Sequence, residues 1–247
     1  MNFYSVIILV ATFGLIASFT FAGRHFRLRA GNVNREEDFH KLITGAALSL
    51  LGLLIGFTLS MAIGGFNSRQ SSEENEAIAI RAAMQKSSLL SPENQKIAIA
   101  LLEDYLTLRV ELYESAGSEQ RGRLREEALN TQRRLWEVAA SEARRNPTPI
   151  NALVVNAFTD LSSSQQRTIS YWRRQVPLAA WALLLFIAGC CGGLIGYSAG
   201  HTSKHDGMLL IMPAIIALAF LTIAEIDAPG EGIIRVSANN LKTISLE

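Results

Sequence analysis

Four stretches of this chain carry no charge, and the charged residues gather between and around them. Residues 2–23 are uncharged and closed by Arg24, and residues 42–66 contain no charged side chain. A third run follows Arg173 and Arg174, has Pro177 placed for a first helical turn, and continues to Gly200. A fourth covers 207–224 and holds Pro213. A helix of about 20 apolar residues crosses the hydrocarbon of a bilayer, so each run predicts a transmembrane helix. Backbone amides find no water there, which leaves helices as the economical way across. The carbonyl freed by Pro213 can be satisfied by a neighbouring helix or by water inside a bundle.

Between the second and third runs lies a polar segment, 67–175, with helical periodicity almost throughout. Ser71, Ser72, Glu73 and Glu74 form a capping-type start with acids in the first turn of a pattern reaching Met84, and the second membrane helix can run on into it. Pro92 after Ser91 opens another helix, with Ile97, Leu101, Tyr105, Leu108 and Leu112 at helical spacing. In a third, ending at Arg145, Leu124, Ala128, Thr131, Leu135, Val138 and Glu142 fall four and three residues apart, the spacing of a seam packed on another helix. Asn146, Pro147, Thr148 and Pro149 break it, and 150–172 leads back towards the membrane. No strand alternation, glycine-rich phosphate loop or repeat period occurs in this segment.

The expected fold is therefore all-α: a polytopic membrane protein with four transmembrane helices and a helical water-exposed insert. Its parts are helices 1 and 2 in 1–66, the insert in 67–175, helices 3 and 4 in 176–226, and a tail in 227–247. Four crossings place the N-terminus, the insert and the tail on one side of the bilayer. The first run resembles a signal peptide in having Ala22 and Gly23 near its end. Residues 1–5, however, lack the Lys or Arg of a secretory leader, so a retained helix is expected. Arg24, Arg27, Arg29, Arg35 and Lys41 crowd one short loop. Arg69, Arg167, Arg173, Arg174 and Arg235 flank the other side, so the positive-inside count does not orient the chain.

Composition agrees with this segregation: 49% of residues are hydrophobic and 18% charged, too apolar for one soluble domain and too charged for membrane alone. The net charge of +1 gives no basic surface for nucleic acid. Cys190 and Cys191 are adjacent inside an apolar run, which suits neither a mutual disulfide nor a metal pair. His201 and His205 have helical ligand spacing beside Asp206, but a solvated loop accounts for them better than a metal site. No nucleophile elbow or nucleotide motif is present, so no catalytic residue, cofactor or metal is assigned and an enzyme is not expected.

Small residues mark two membrane helices. Ser49, Gly52, Gly56, Ser60 and Gly64 share one face of the second, and Gly192, Gly196 and Gly200 recur every fourth residue on the third. Such faces let backbones approach, either within one subunit or between copies. The second helix also presents Leu50, Leu54, Phe57, Thr58 and Met61. Facing lipid or core, that stripe is ordinary; around a shared axis it would form a hydrophobic constriction. After the fourth helix, Glu225 and Asp227 precede a Pro229-Gly230 turn and Arg235. Acids so near hydrocarbon are interfacial and paired with Arg235, or they build a cation site or part of an ion pathway.

Three stretches carry a resemblance: Leu51 to Thr58 running on to Arg69, Glu73 to Ile78, and Glu225-Ile226-Asp227 through Gly232 to Ser237. With the layout of spans, they make the chain similar to the bestrophin-like family of bacterial membrane proteins. The closing motif in that family usually reads Asp-Ile-Asp-Arg-Pro, whereas here Glu225 replaces the first acid and Ala228 the arginine. The family is named for a distant similarity to bestrophin anion channels, pentamers whose second membrane helix lines the pore. The resemblance implies an oligomeric anion or ion channel, a homo-oligomer of as many as five copies in the bacterial inner membrane, with a small inorganic ion as its partner. Leu50, Leu54, Phe57 and Met61 would face the axis, and the insert and termini would be cytoplasmic. The alternative is a non-conducting scaffold or sensor whose helical insert binds a protein.

Overall fold

The computed structural model describes residues 3–30, 37–115, 118–199, 206–228, 230 and 234–244. Among them every regular element is a helix. The order is α1 (Phe3–Ala30), α2 (Glu37–Ser87), α3 (Pro92–Glu114), α4 (Ser118–Arg145), α5 (Pro149–Arg173), α6 (Leu178–Ala199), α7 (Asp206–Leu209), α8 (Ile211–Asp227) and α9 (Asn239–Ile244). Four helical stretches are long and apolar enough to cross a membrane: Ser5–Arg29, Phe39–Ser87, Pro149–Ala199 and Gly207–Asp227. The chain folds as two units, one of residues 1–64 with 175–234, the other of 65–174 with 235–247.

The first unit is the apolar one. α1 packs on α6 and α8. Its core joins Ile16, Leu51, Leu184, Ala188, Cys191, Ile216 and Phe220. Trp181 meets Phe220 edge to face with ring centroids 6.2 Å apart. Glycine sets how closely α1 and α6 approach. A Cβ on Gly196 would run into the Thr20 carbonyl, one on Gly23 into the Gly193 carbonyl, and one on Gly192 would lie 3.0 Å from the Ile16 oxygen. Large apolar side chains such as Val10, Phe186, Leu178 and Leu218 are exposed, as suits surfaces that meet lipid tails. Pro213 does not interrupt a span. The helix restarts after a turn at Leu210, so Pro213 falls in the first turn of α8, where a missing amide hydrogen costs nothing.

The second unit is a helical bundle of α3, α4, α5, the later part of α2 and α9. Its core runs from Ala77, Ile80 and Ala83 through Ala98, Leu102 and Tyr105 to Leu135, Val154, Phe158, Leu161 and Leu241. Ser71 and Ser72 do not begin a helix, since α2 passes through them unbroken. α3 does start at Pro92, as its sequence dictates, but the Ser91 hydroxyl is spent on Glu142 at 3.0 Å instead of capping. α5 starts with a true cap: Thr148 accepts from the Asn151 amide at 3.2 Å, with Pro149 in the first turn. The seam expected on α4 is present, with Leu124, Ala128, Thr131 and Leu135 buried.

Candidate functional site

Within the first unit, α2 buries only a narrow stripe. Leu51, Thr58 and Ala62 are buried at spacings of seven and four. Thr58 turns its hydroxyl back to the Leu54 carbonyl at 2.8 Å, which removes its polarity from the apolar surroundings. Leu54 lies beside this stripe and packs, partly buried, against the core. Leu50, Phe57 and Met61 point away, at 49%, 63% and 53% exposure. On the opposite side of the helix Gly45, Gly52 and Gly56 look onto open space, with no described atom of another element within 4 Å of a Cβ placed on any of them. The two glycine faces of the sequence thus have different surroundings. Gly192 and Gly196 lie against α1, while Gly52 and Gly56 meet nothing among the described residues. Gly200 lies outside the described residues, as do His201 and His205.

The acids of the closing motif sit at the end of α8, both buried. Asp227 accepts the Val176 amide through both oxygens, at 3.0 and 3.1 Å. Val176 stands just ahead of α6, with Pro177 following, so Asp227 supplies an acceptor and a negative charge where that helix begins. Glu225 accepts from the Ser5 hydroxyl on α1. Each acid therefore ties α8 to another helix of its unit. Arg235 is exposed and belongs to the second unit. No group of three or more metal-ligating side chains occurs among the described residues. Beside Asp227, a groove of about 460 Å³ is lined by Ile8, Thr12, Trp181 and Leu185.

In the second unit, a buried ionic network crosses the bundle. Glu76 on α2 and Arg109 on α3 are 0% and 1% exposed and pair at 2.6 and 2.8 Å. The same carboxylate accepts from the Tyr105 hydroxyl at 2.5 Å and from Thr168 on α5 at 3.3 Å, and Gln132 on α4 donates to Tyr105 at 3.2 Å. The carboxylate of α2 is thus reached directly from α3 and α5, and from α4 through Tyr105. Burial, the largest single effect, works to discharge the Arg109 guanidinium, but the charge and hydrogen bond of Glu76 together with Tyr105 and Tyr113 outweigh it and hold its pKa above the ordinary value. Tyr105 is held neutral, first by burial and then by Glu76. One turn earlier on α2, Glu73 accepts from the Leu241 amide at 3.0 Å and the Asn240 side chain at 2.7 Å, which pins the start of α9.

Sequence reasoning left Glu76 and Arg109 unassigned. The available signal was the spacing of Tyr105, Arg109 and Tyr113, which sets a guanidinium on the buried face of α3 between two aromatic rings. A family model described as a bestrophin-like domain matches residues 8–241. No curated protein and no solved structure matches the chain.

Proposed function

The chain belongs to the bestrophin-like family, and on that premise we propose that it is an oligomeric ion-conducting membrane protein whose α2 helices surround a shared axis. One observation carries this reading: on α2, the helix that resemblance assigns to a pore, the subunit leaves open both the glycine face of Gly52 and Gly56 and, on the opposite side, the stripe of Leu50, Phe57 and Met61. Lipid tails are as apolar as leucine, so helices gain by association where small residues let backbones meet. Gly52 and Gly56 offer that surface to a second copy. With the glycines in contact, Leu50, Phe57 and Met61 on the opposite side face the axis, with Leu54 at the margin, and form an apolar neck that passes ions when wetted. In this reading Asp227 and Glu225 hold the surrounding helices in place through Val176 and Ser5.

Purified protein in liposomes should pass chloride, and Phe57→Ala should widen the neck and raise the flux. Bilayers silent at both voltage signs, with and without calcium, contradict the proposal. A second reading has its own support. The helical unit exposes Ile78, Trp136, Ile150 and Leu153, apolar side chains of the kind that anchor protein partners. In that reading the protein is a scaffold or sensor, and it stays monomeric or dimeric in the membrane.

A further inference from the structure

The Glu76 network continues into a cluster that conduction does not use. Arg109 and Tyr113 stand one turn apart at the end of α3, and Arg121 and Arg125 one turn apart at the start of α4. Trp172 and Arg173 close α5. α4 packs on both α3 and α5, which brings the end of α3, the start of α4 and the end of α5 to one end of the bundle. Tyr113 and Trp172 meet edge to face with ring centroids 5.4 Å apart, and the Arg109 guanidinium lies 5.7 Å from the Tyr113 ring.

What these groups share is unspent donor capacity. The Nη1 of Arg109 and the Nε of Arg125 are buried and have no hydrogen-bond partner among the described residues, and the Trp172 indole turns to the Tyr113 oxygen, which leaves the Tyr113 hydrogen to be placed. Arg109 and Tyr113 are 1% and 6% exposed, so bulk water does not serve them. Guanidinium nitrogens only donate, so Arg109 and Arg125 cannot satisfy one another, and the acceptor beside Arg109, the Tyr113 oxygen, is turned to Trp172. Buried donors need an acceptor, and a cluster of donors is satisfied at once by an anion.

Charge decides which anion. Glu76 already neutralises Arg109. Arg125 is pushed below its ordinary pKa by burial and by the charges of Arg109, Arg173 and Arg121, which marks a positive field there. Tyr113, by contrast, is raised by burial first and then by the Glu76 carboxylate, which Arg109 only partly offsets, so a doubly charged ligand beside it would be repelled. We propose that the end of the helical unit formed by Arg109, Tyr113, Arg125 and Trp172 binds a small monovalent anion of the halide class. The site stands whether or not the protein conducts.

The test is thermal unfolding of the full-length protein in nanodiscs, titrated with sodium bromide against sodium gluconate at constant ionic strength. Bromide should raise the unfolding midpoint along a saturating curve. Arg125→Gln, at a half-buried position, should move half-saturation up by about tenfold, the loss of one charge-assisted hydrogen bond. Tyr113→Phe should weaken binding in the same direction. Arg145→Gln, exposed at the far end of α4, should titrate as the unaltered protein does. If Tyr113→Phe does not fold, Arg125→Gln decides alone. A salt effect that never saturates, an Arg125→Gln curve identical to that of the unaltered protein, or saturation by phosphate and not by bromide overturns the site.

Discussion

Glu76 shows how a single side chain can organise a domain while looking ordinary in the sequence. It stands among Glu73, Glu74 and Asn75, where an acid reads as part of a solvated helix face, yet it is fully buried and accepts from α3 and α5. Breaking a buried pair leaves its partner charged and dry, so Glu76→Ala should cost about 3–5 kcal/mol. Urea unfolding of the helical unit within the intact protein measures it, and the double replacement Glu76→Met with Arg109→Met should cost much less. The phenols respond to pH. Both Tyr105 and Tyr113 are raised, by burial first and Glu76 second, so in the unfolded chain they ionise earlier, near the ordinary value of 10.0. Their contribution is whole below that pH and is lost as pH rises past it towards the folded values. The unfolding midpoint should therefore fall above pH 10, and Tyr113→Phe should flatten the fall. Asp227 was legible as a costly acid near hydrocarbon, but its role was not: its partner, Val176, is an amide distant in sequence.

Elements differ in how much of their packing can be read ahead. The α4 seam was legible because burial there follows spacing alone. The glycine faces of α2 and α6 were not separable, since both repeat small residues every fourth position and only the neighbour distinguishes them. That difference makes a paired prediction. Gly196→Ala drives a methyl into the Thr20 carbonyl and must push α1 from α6, an overpacking cost of about 1–3 kcal/mol or more. Gly56→Ala meets open space within the subunit and should leave monomer stability equal or slightly raised, by up to about 1 kcal/mol of helix propensity. In the proposed assembly the same methyl sits between copies, so Gly56→Ala should loosen the oligomer. Thermal unfolding and oligomer mass, read on both variants, separate the two effects.

For the whole molecule, the segregation of charge made the layout legible, because uncharged runs longer than a bilayer is thick have few other fates. The family follows from the same layout with its three sequence stretches, and the model match over 8–241 bears it out. Two features lay beyond sequence reading. Residues 235–244 fold with the helical unit, and the proline of the fourth span begins a helix instead of bending one. The first depends on contacts distant in sequence, such as Glu73 with Leu241, that no local pattern encodes. Assembly is likewise a property of surfaces, and α2 presents the surface on which the proposed conduction would depend. Native mass measurement of the protein released from nanodiscs tests this most directly. The account predicts one closed ring of several copies, five by the family resemblance, which Gly56→Leu dissociates; a monomer for the unaltered chain would contradict it.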